Sequence, residues 1–97
     1  MKTQPTNKIT KDKIEKYRAL TLTALKIAEK EIIKGKESEA KEIISMVKNY
    51  ASDSEYFQNK GDFVNSFAAL NYAHGWLDSG ARLGIFNVKD NRFFTIK

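Results

Sequence analysis

The segment Asn59-Lys60-Gly61-Asp62 followed by Phe63-Val64-Asn65-Ser66-Phe67-Ala68-Ala69-Leu70-Asn71-Tyr72-Ala73-His74-Gly75-Trp76-Leu77-Asp78-Ser79-Gly80-Ala81-Arg82 decides the fold. Its first four residues have the chemistry of a tight helix-to-helix turn, and the Asp62 carboxylate can cap the free N–H groups of a new first turn. A connection this short forces the following helix to pack antiparallel. On a wheel at about 100° per residue, Phe63, Leu70, Ala73, Leu77 and Ala81 point one way, with Ala69, Trp76 and Leu83 beside them. A helix apolar over so much of its girth is expected to be the inner one. The small residues Ala68, Ala69, Ala73, Gly75, Ser79 and Gly80 argue the same, since they let backbones approach where helices cross. They also weaken intrinsic propensity, Gly75 by roughly 1 kcal/mol against Ala, so packing must compensate.

Working outward, Ile14, Tyr17, Thr21, Ala24, Leu25, Ala28 and Ile32 recur at three- and four-residue steps, widened by Leu20, Leu22 and Ile27. This is one amphipathic stripe, opened by Thr10 as N-cap and closed at Gly35, which predicts a helix over 10–34. Ser38 can cap the next, with Glu39 and Glu42 at the positive end of its dipole. Ala40, Ile43, Ile44, Val47, Tyr50, Ala51, Ser54 and Phe57 carry its stripe, predicting a helix over 38–60. The third runs over 63–82. After Gly84 the pattern changes to Ile85-Phe86-Asn87-Val88, the polar turn Lys89-Asp90-Asn91-Arg92, and Phe93-Phe94-Thr95-Ile96. An isolated hairpin is marginal in water, so the expectation over 85–97 is an extended tail anchored on the helices by Phe86 and by Phe93 or Phe94, with the hairpin as alternative. Residues 1–9, with the sole proline Pro5, read as a flexible N-terminal tail, and 10–97 as a single helical domain. The fold class is all-α: a three-helix antiparallel up-down-up bundle with an extended C-terminal tail.

With 97 residues, 41% of them hydrophobic and 30% charged, the chain has the composition of one globular domain with one modest core. No apolar run reaches the roughly 18 residues that cross a bilayer, and the start is polar, so no membrane association and a cytoplasmic location are expected. The absence of cysteine removes disulfides, thiolate chemistry and Cys-based zinc sites. The net charge of +5 falls unevenly: residues 1–50 hold twelve Lys and Arg against seven Asp and Glu, whereas residues 51–97 hold five against five. Such asymmetry steers some proteins toward nucleic acid, and in others it is a solvated helix face.

The run from Asn71 to Phe86, preceded by Gly61-Asp62 and Tyr56-Phe57, resembles the small archaeal family known as domain of unknown function 357. The specific part is Tyr72-Ala73-His74-Gly75-Trp76-Leu77-Asp78 with Gly80, Arg82, Leu83 and Gly84 behind it; the family usually has Ala where this chain has Ser79, and other residues where it has His74. The resemblance spans nearly the whole chain. It implies a small, stand-alone helical domain of archaeal, cytoplasmic type and brings no substrate, cofactor or catalytic residue.

The sharpest polar constellation is Asn71, His74, Asp78 and Arg82, which share a wedge of about 80° on the third helix. The i, i+4 spacing lets Asp78 meet both His74 and Arg82. If the wedge lined a pocket, Arg82 would hold a small anionic ligand and Asp78 would orient the imidazole. The structural reading is favoured instead, with Asp78 and Arg82 clamping the end of the third helix onto the tail. One His, and carboxylates such as Asp53, Asp62 and Asp78 without EF-hand or two-His spacing, give no metal site, and no cofactor is expected. No nucleophile elbow, phosphate-cradling glycine loop or acid pair is present, so an enzyme is not expected. Nucleic-acid candidates are Lys8, Lys11, Lys13, Lys16 and Arg18 at the start of the first helix and Lys89, Arg92 and Lys97 in the tail, with Phe93 and Phe94 able to stack on bases if exposed. Trp76, Tyr72 and Tyr50 can form a hot-spot patch for a protein partner or a homodimer with two-fold symmetry. The function expected is a non-enzymatic helical binding or assembly module, the alternatives being a basic nucleic-acid-binding adaptor and an anionic-ligand site at the wedge.

Overall fold

A computed structural model of the chain describes residues 8–95. It contains three helices, α1 (Lys11–Lys30), α2 (Glu37–Asn59) and α3 (Phe63–Arg82), in an antiparallel bundle with an extended C-terminal tail over them. The expected N-terminal tail falls almost wholly outside the described residues, as do Ile96 and Lys97.

The caps read from sequence at two helix starts are made. Thr10 Oγ1 accepts from the Lys13 N–H at 3.1 Å, and Asp62 Oδ1 accepts from the Asn65 N–H at 3.1 Å. The turn between α2 and α3 works through Gly61 at φ +79°: its N–H donates to the Gln58 carbonyl at 2.9 Å and the Asp62 N–H donates to the Phe57 carbonyl at 2.8 Å. This left-handed closure satisfies the last carbonyls of α2 and reverses the chain in two residues. Gly84, at φ +75°, closes α3 in the same way, with the Ile85 N–H on the Gly80 carbonyl at 2.8 Å.

Two boundaries differ from expectation. α1 stops at Lys30, not 34, because Ile32 and Ile33 leave the helix to pair with the tail. The Ile33 N–H donates to the Ile85 carbonyl at 2.9 Å and the Asn87 N–H to the Glu31 carbonyl at 2.7 Å, an antiparallel bridge centred on Ile32 and Phe86. Gly35 is left-handed, at φ +93°, but it turns this linker and does not end the helix. Ser38 is not the cap of α2: the helix starts at Glu37, whose carboxylate reaches back to the Gly35 N–H at 3.0 Å.

α3 packs most extensively on α2 and next on α1, which touch each other least. It is therefore the central helix, as its girth of apolar residues predicts. The core gathers Ala24, Leu25 and Ala28 of α1, Ala40, Ile43 and Val47 of α2, and Ala73 and Leu77 of α3, and the tail adds Ile85, Phe86, Val88 and Phe94. Phe86 lies directly on Gly80, where a Cβ would stand 2.5 Å from the ring. The tail is thus an extended strap with Phe86 and Phe94 buried, and its described residues form no hairpin. The molecule is flat, with principal extents of 46 × 35 × 16 Å, and it does not enclose α3 on all sides. Trp76 and Leu83, which the wheel placed beside the core, are exposed by 37% and 73%.

Candidate functional site

Helix α3 divides its polar wedge between two surroundings. His74, on the inner edge, is buried beneath the tail. Its Nε2 lies 2.6 Å from the Phe93 carbonyl oxygen and its Nδ1 lies 3.1 Å from Thr21 Oγ1. A carbonyl can only accept, so Nε2 carries the proton, and in the neutral ring Nδ1 accepts from the Thr21 hydroxyl. Tyr17 covers the imidazole with ring centroids 5.9 Å apart. One side chain thereby joins α1, α3 and the tail.

Asp78 stands one turn further along, 3.8 Å from His74 Nε2, and its Oδ1 accepts from the Thr95 N–H at 2.9 Å. His74 and Asp78 both hold the tail, so His74 joins the clamp that the sequence reading gave to Asp78 and Arg82, and Arg82 lies exposed at the last turn of α3. Asn71 is also exposed, and it lines a groove that the clamp does not share. The wedge is narrow on the wheel, but it straddles the line where the tail's cover ends. Asn71 thus faces a different surface from His74, and both ring nitrogens of His74 are committed to the scaffold. Replacing Asp78 with Ala is expected to lower unfolding free energy by about 1 kcal/mol, since one hydrogen bond to a partly exposed carboxylate is lost. Unchanged stability in a urea titration would remove Asp78 from the clamp.

A second polar cluster was not seen in the sequence. Arg18 donates to Gln58 Oε1 at 2.6 Å and to Ser54 Oγ at 2.9 Å, while Ser54 Oγ meets Ser66 Oγ at 2.9 Å and Ser66 Oγ donates to the Ser54 carbonyl at 2.8 Å. Ser54 and Ser66 are fully buried. Arg18 thus ties α1 to α2 and, through Ser54, to α3, which corrects its place among the nucleic-acid candidates. The available signal was a pair of small hydroxyl residues on otherwise apolar faces, opposite a basic residue on the third face.

Lys11, Lys13 and Lys16 are exposed, as the sequence suggests. Lys13 Nζ lies 5.4 Å over the Phe67 ring, and Lys13 and Lys16 join Tyr17, Leu20 and Phe93 around an apolar groove of about 500 Å³. Arg92 pairs with Asp90 at 2.8 Å and lies over the Phe93 ring. The hydrogen bond from the Arg92 side chain, and then that from its backbone N–H, hold the Asp90 carboxyl below the usual carboxylate range. A depressed carboxyl stabilises above its ordinary value and loses that contribution as pH falls through the lowered one, so the contribution of this exposed pair changes with pH only at the acid edge. Phe94 is buried and cannot stack on a base. Among the described residues, no three His, Cys, Asp or Glu side chains come together as metal ligands, and no helix is long and apolar enough to cross a membrane.

An open concavity lies on the side of α3 away from the clamp. Tyr50, Ala68, Asn71, Tyr72, Gly75, Trp76 and Ser79 line an open groove of about 660 Å³ with no charged residue among them. Tyr72 is 64% exposed, yet its ring stacks on Tyr50 of α2, with centroids 5.5 Å apart and planes 18° from parallel. Residues 11–86 match the family described as a protein of unknown function, DUF357. The chain belongs to the DUF357 family. The match covers all three helices, Gly80 with Phe86 against it, and the aromatic groove, and it ends before the strap residues that His74 and Asp78 hold. No curated protein and no solved structure matches the chain.

Proposed function

We propose that this DUF357 protein is a non-enzymatic docking module of the cytoplasm whose working surface is the aromatic groove on the outer face of α3. The observation that carries the reading is the pair Tyr72 and Trp76, exposed side by side on a chain that is 30% charged, above a groove lined without charge. Exposed aromatic patches of this kind mark protein contacts, and Trp and Tyr dominate their energetics. The stack on Tyr50 supports it further, because a ring already held in place loses little conformational freedom on binding. The groove is open, and no charged side chain lines it to orient a small substrate. A photoreactive phenylalanine analogue at position 72 tests this. Discrete protein crosslinks from position 72 that are absent from the exposed position 55 on α2 are expected; equal or no crosslinking from both would remove the reading.

A basic nucleic-acid adaptor is supported by Lys11, Lys13 and Lys16 on α1 together with Arg92 over Phe93. It requires RNA or DNA binding that weakens steeply with salt, and Lys13→Ala with Lys16→Ala should then lower the slope by about two.

A further inference from the structure

We infer that the occupant of this face is a second copy of the chain, its α3 lying antiparallel across the first about a two-fold axis near Ala73 and His74. The inference rests on the docking reading above and names its partner.

Val64, Ala68, Asn71, Tyr72, Gly75, Trp76, Ser79 and Leu83 follow one another at steps of one, three or four along the outer side of α3, opposite the arc that Leu70, Ala73 and Leu77 bury. Val64 and Leu83, at its two ends, are 67% and 73% exposed. A helix apolar on both faces is built to be covered on both, and in the single chain only one is.

Charge selects the partner. The chain carries +5, with its excess lysine in residues 1–50, so an acidic partner is drawn to α1, away from this groove. Two basic copies, in contrast, meet with least repulsion through this face, whose groove is lined without charge. Of the ionisable groups on this outer side only Arg82 is present, at its rim. Antiparallel α3 helices also oppose their macrodipoles favourably.

The distribution of sizes fixes the arrangement. A two-fold axis at the middle of the stripe sets Ala68 of one copy opposite Ser79 of the other, and brings Tyr72 beside Trp76 and Gly75 of its neighbour. Gly75 has no role inside the single chain: a Cβ there would touch nothing within 4 Å, although the residue weakens the helix that contains it. Gly80, by comparison, is required by Phe86. At the dyad, the missing side chain at Gly75 leaves room for Tyr72. Tyr72 and Trp76 alone leave roughly 200 Å² of aromatic surface in water. With Val64, Leu83, Tyr50 and the small residues between them, the face spans the roughly 30 Å of a helix this long and approaches the roughly 600–800 Å² per partner of a modest stable interface.

Sedimentation equilibrium of the full chain from about 1 μM to about 1 mM tests the pairing. The mass is expected to rise from 11.1 kDa to twice that value, with the emission of Trp76, the sole tryptophan, shifting along the same curve. Gly75→Glu, whose Cβ would meet nothing within 4 Å in the single chain, should retain its helical signal and thermal midpoint while self-association weakens about 100-fold or more. Because the chain lacks cysteine, Ala68→Cys combined with Ser79→Cys should oxidise to a covalent dimer, while neither single variant should, since like residues lie on the order of 16 Å apart along antiparallel helices. Crosslinking of Ala68→Cys alone would indicate a parallel pair and overturn the arrangement. A mass of 11.1 kDa at every concentration, with another protein captured from position 72, would overturn self-pairing and leave the docking reading standing; the same mass with no capture would remove both.

Discussion

Phe86→Ala is expected to remove about 3–5 kcal/mol of unfolding free energy, the largest single loss available in this chain. The ring is 1% exposed and lies against the bare backbone of Gly80, with Ile43 beside it. The space it would leave collapses poorly, because one wall is the Gly80 helix backbone and the strap's backbone is fixed by its pairing with Glu31 and Ile33. For a domain of this size such a loss is of the order of half the total stability. Urea titration followed by far-ultraviolet circular dichroism measures it, and a loss below about 1.5 kcal/mol would mean that the tail is only draped over the helices.

Gly80→Ala attacks the same contact from the other side. The added Cβ would stand 2.5 and 2.7 Å from two ring carbons of Phe86 and 3.1 Å from Ile43 Cδ1, so the buried ring must shift. An overpacked site costs about 1–3 kcal/mol, which exceeds the gain of up to about 1 kcal/mol in helix propensity. The net change should be destabilising, whereas the same substitution at Gly75 should stabilise. The two sites also couple. In a Phe86→Ala background the clash is gone, so Gly80→Ala should become neutral or favourable, and a double-mutant cycle that came out additive would contradict the contact.

What the sequence disclosed, and what it hid, follows the range of the forces involved. Thr10, Gly61, Asp62 and Gly84 were readable because each satisfies backbone groups within a few residues of itself. The end of α1 was not, because what draws Ile33 out of the helix is the Ile85 carbonyl about 50 residues away. Ser38 does not cap α2, whose start carries no side-chain cap; Glu37, in the first turn, reaches back instead to the Gly35 N–H of the linker. The wheel separated the two faces of α3 but could not say how many neighbours would arrive to cover them, so Trp76 and Leu83 were placed with the core. His74 was likewise legible only as a polar group. Its use depended on Thr21 and Phe93, which come from opposite ends of the chain.

The bridge between Ile32 and Phe86 also bears on how quickly the molecule assembles. Helices form from local contacts, and bundles made of them rank among the fastest folders. Here, however, the strap must also pair with Ile33, about 50 residues upstream of Ile85, and the search for that contact carries the entropy of a long closed loop. The strap therefore acts as a latch set last, whose contacts govern the unfolding rate more than the folding rate. A latched bundle can show its full helical signal early and still be slow to acquire a closed core.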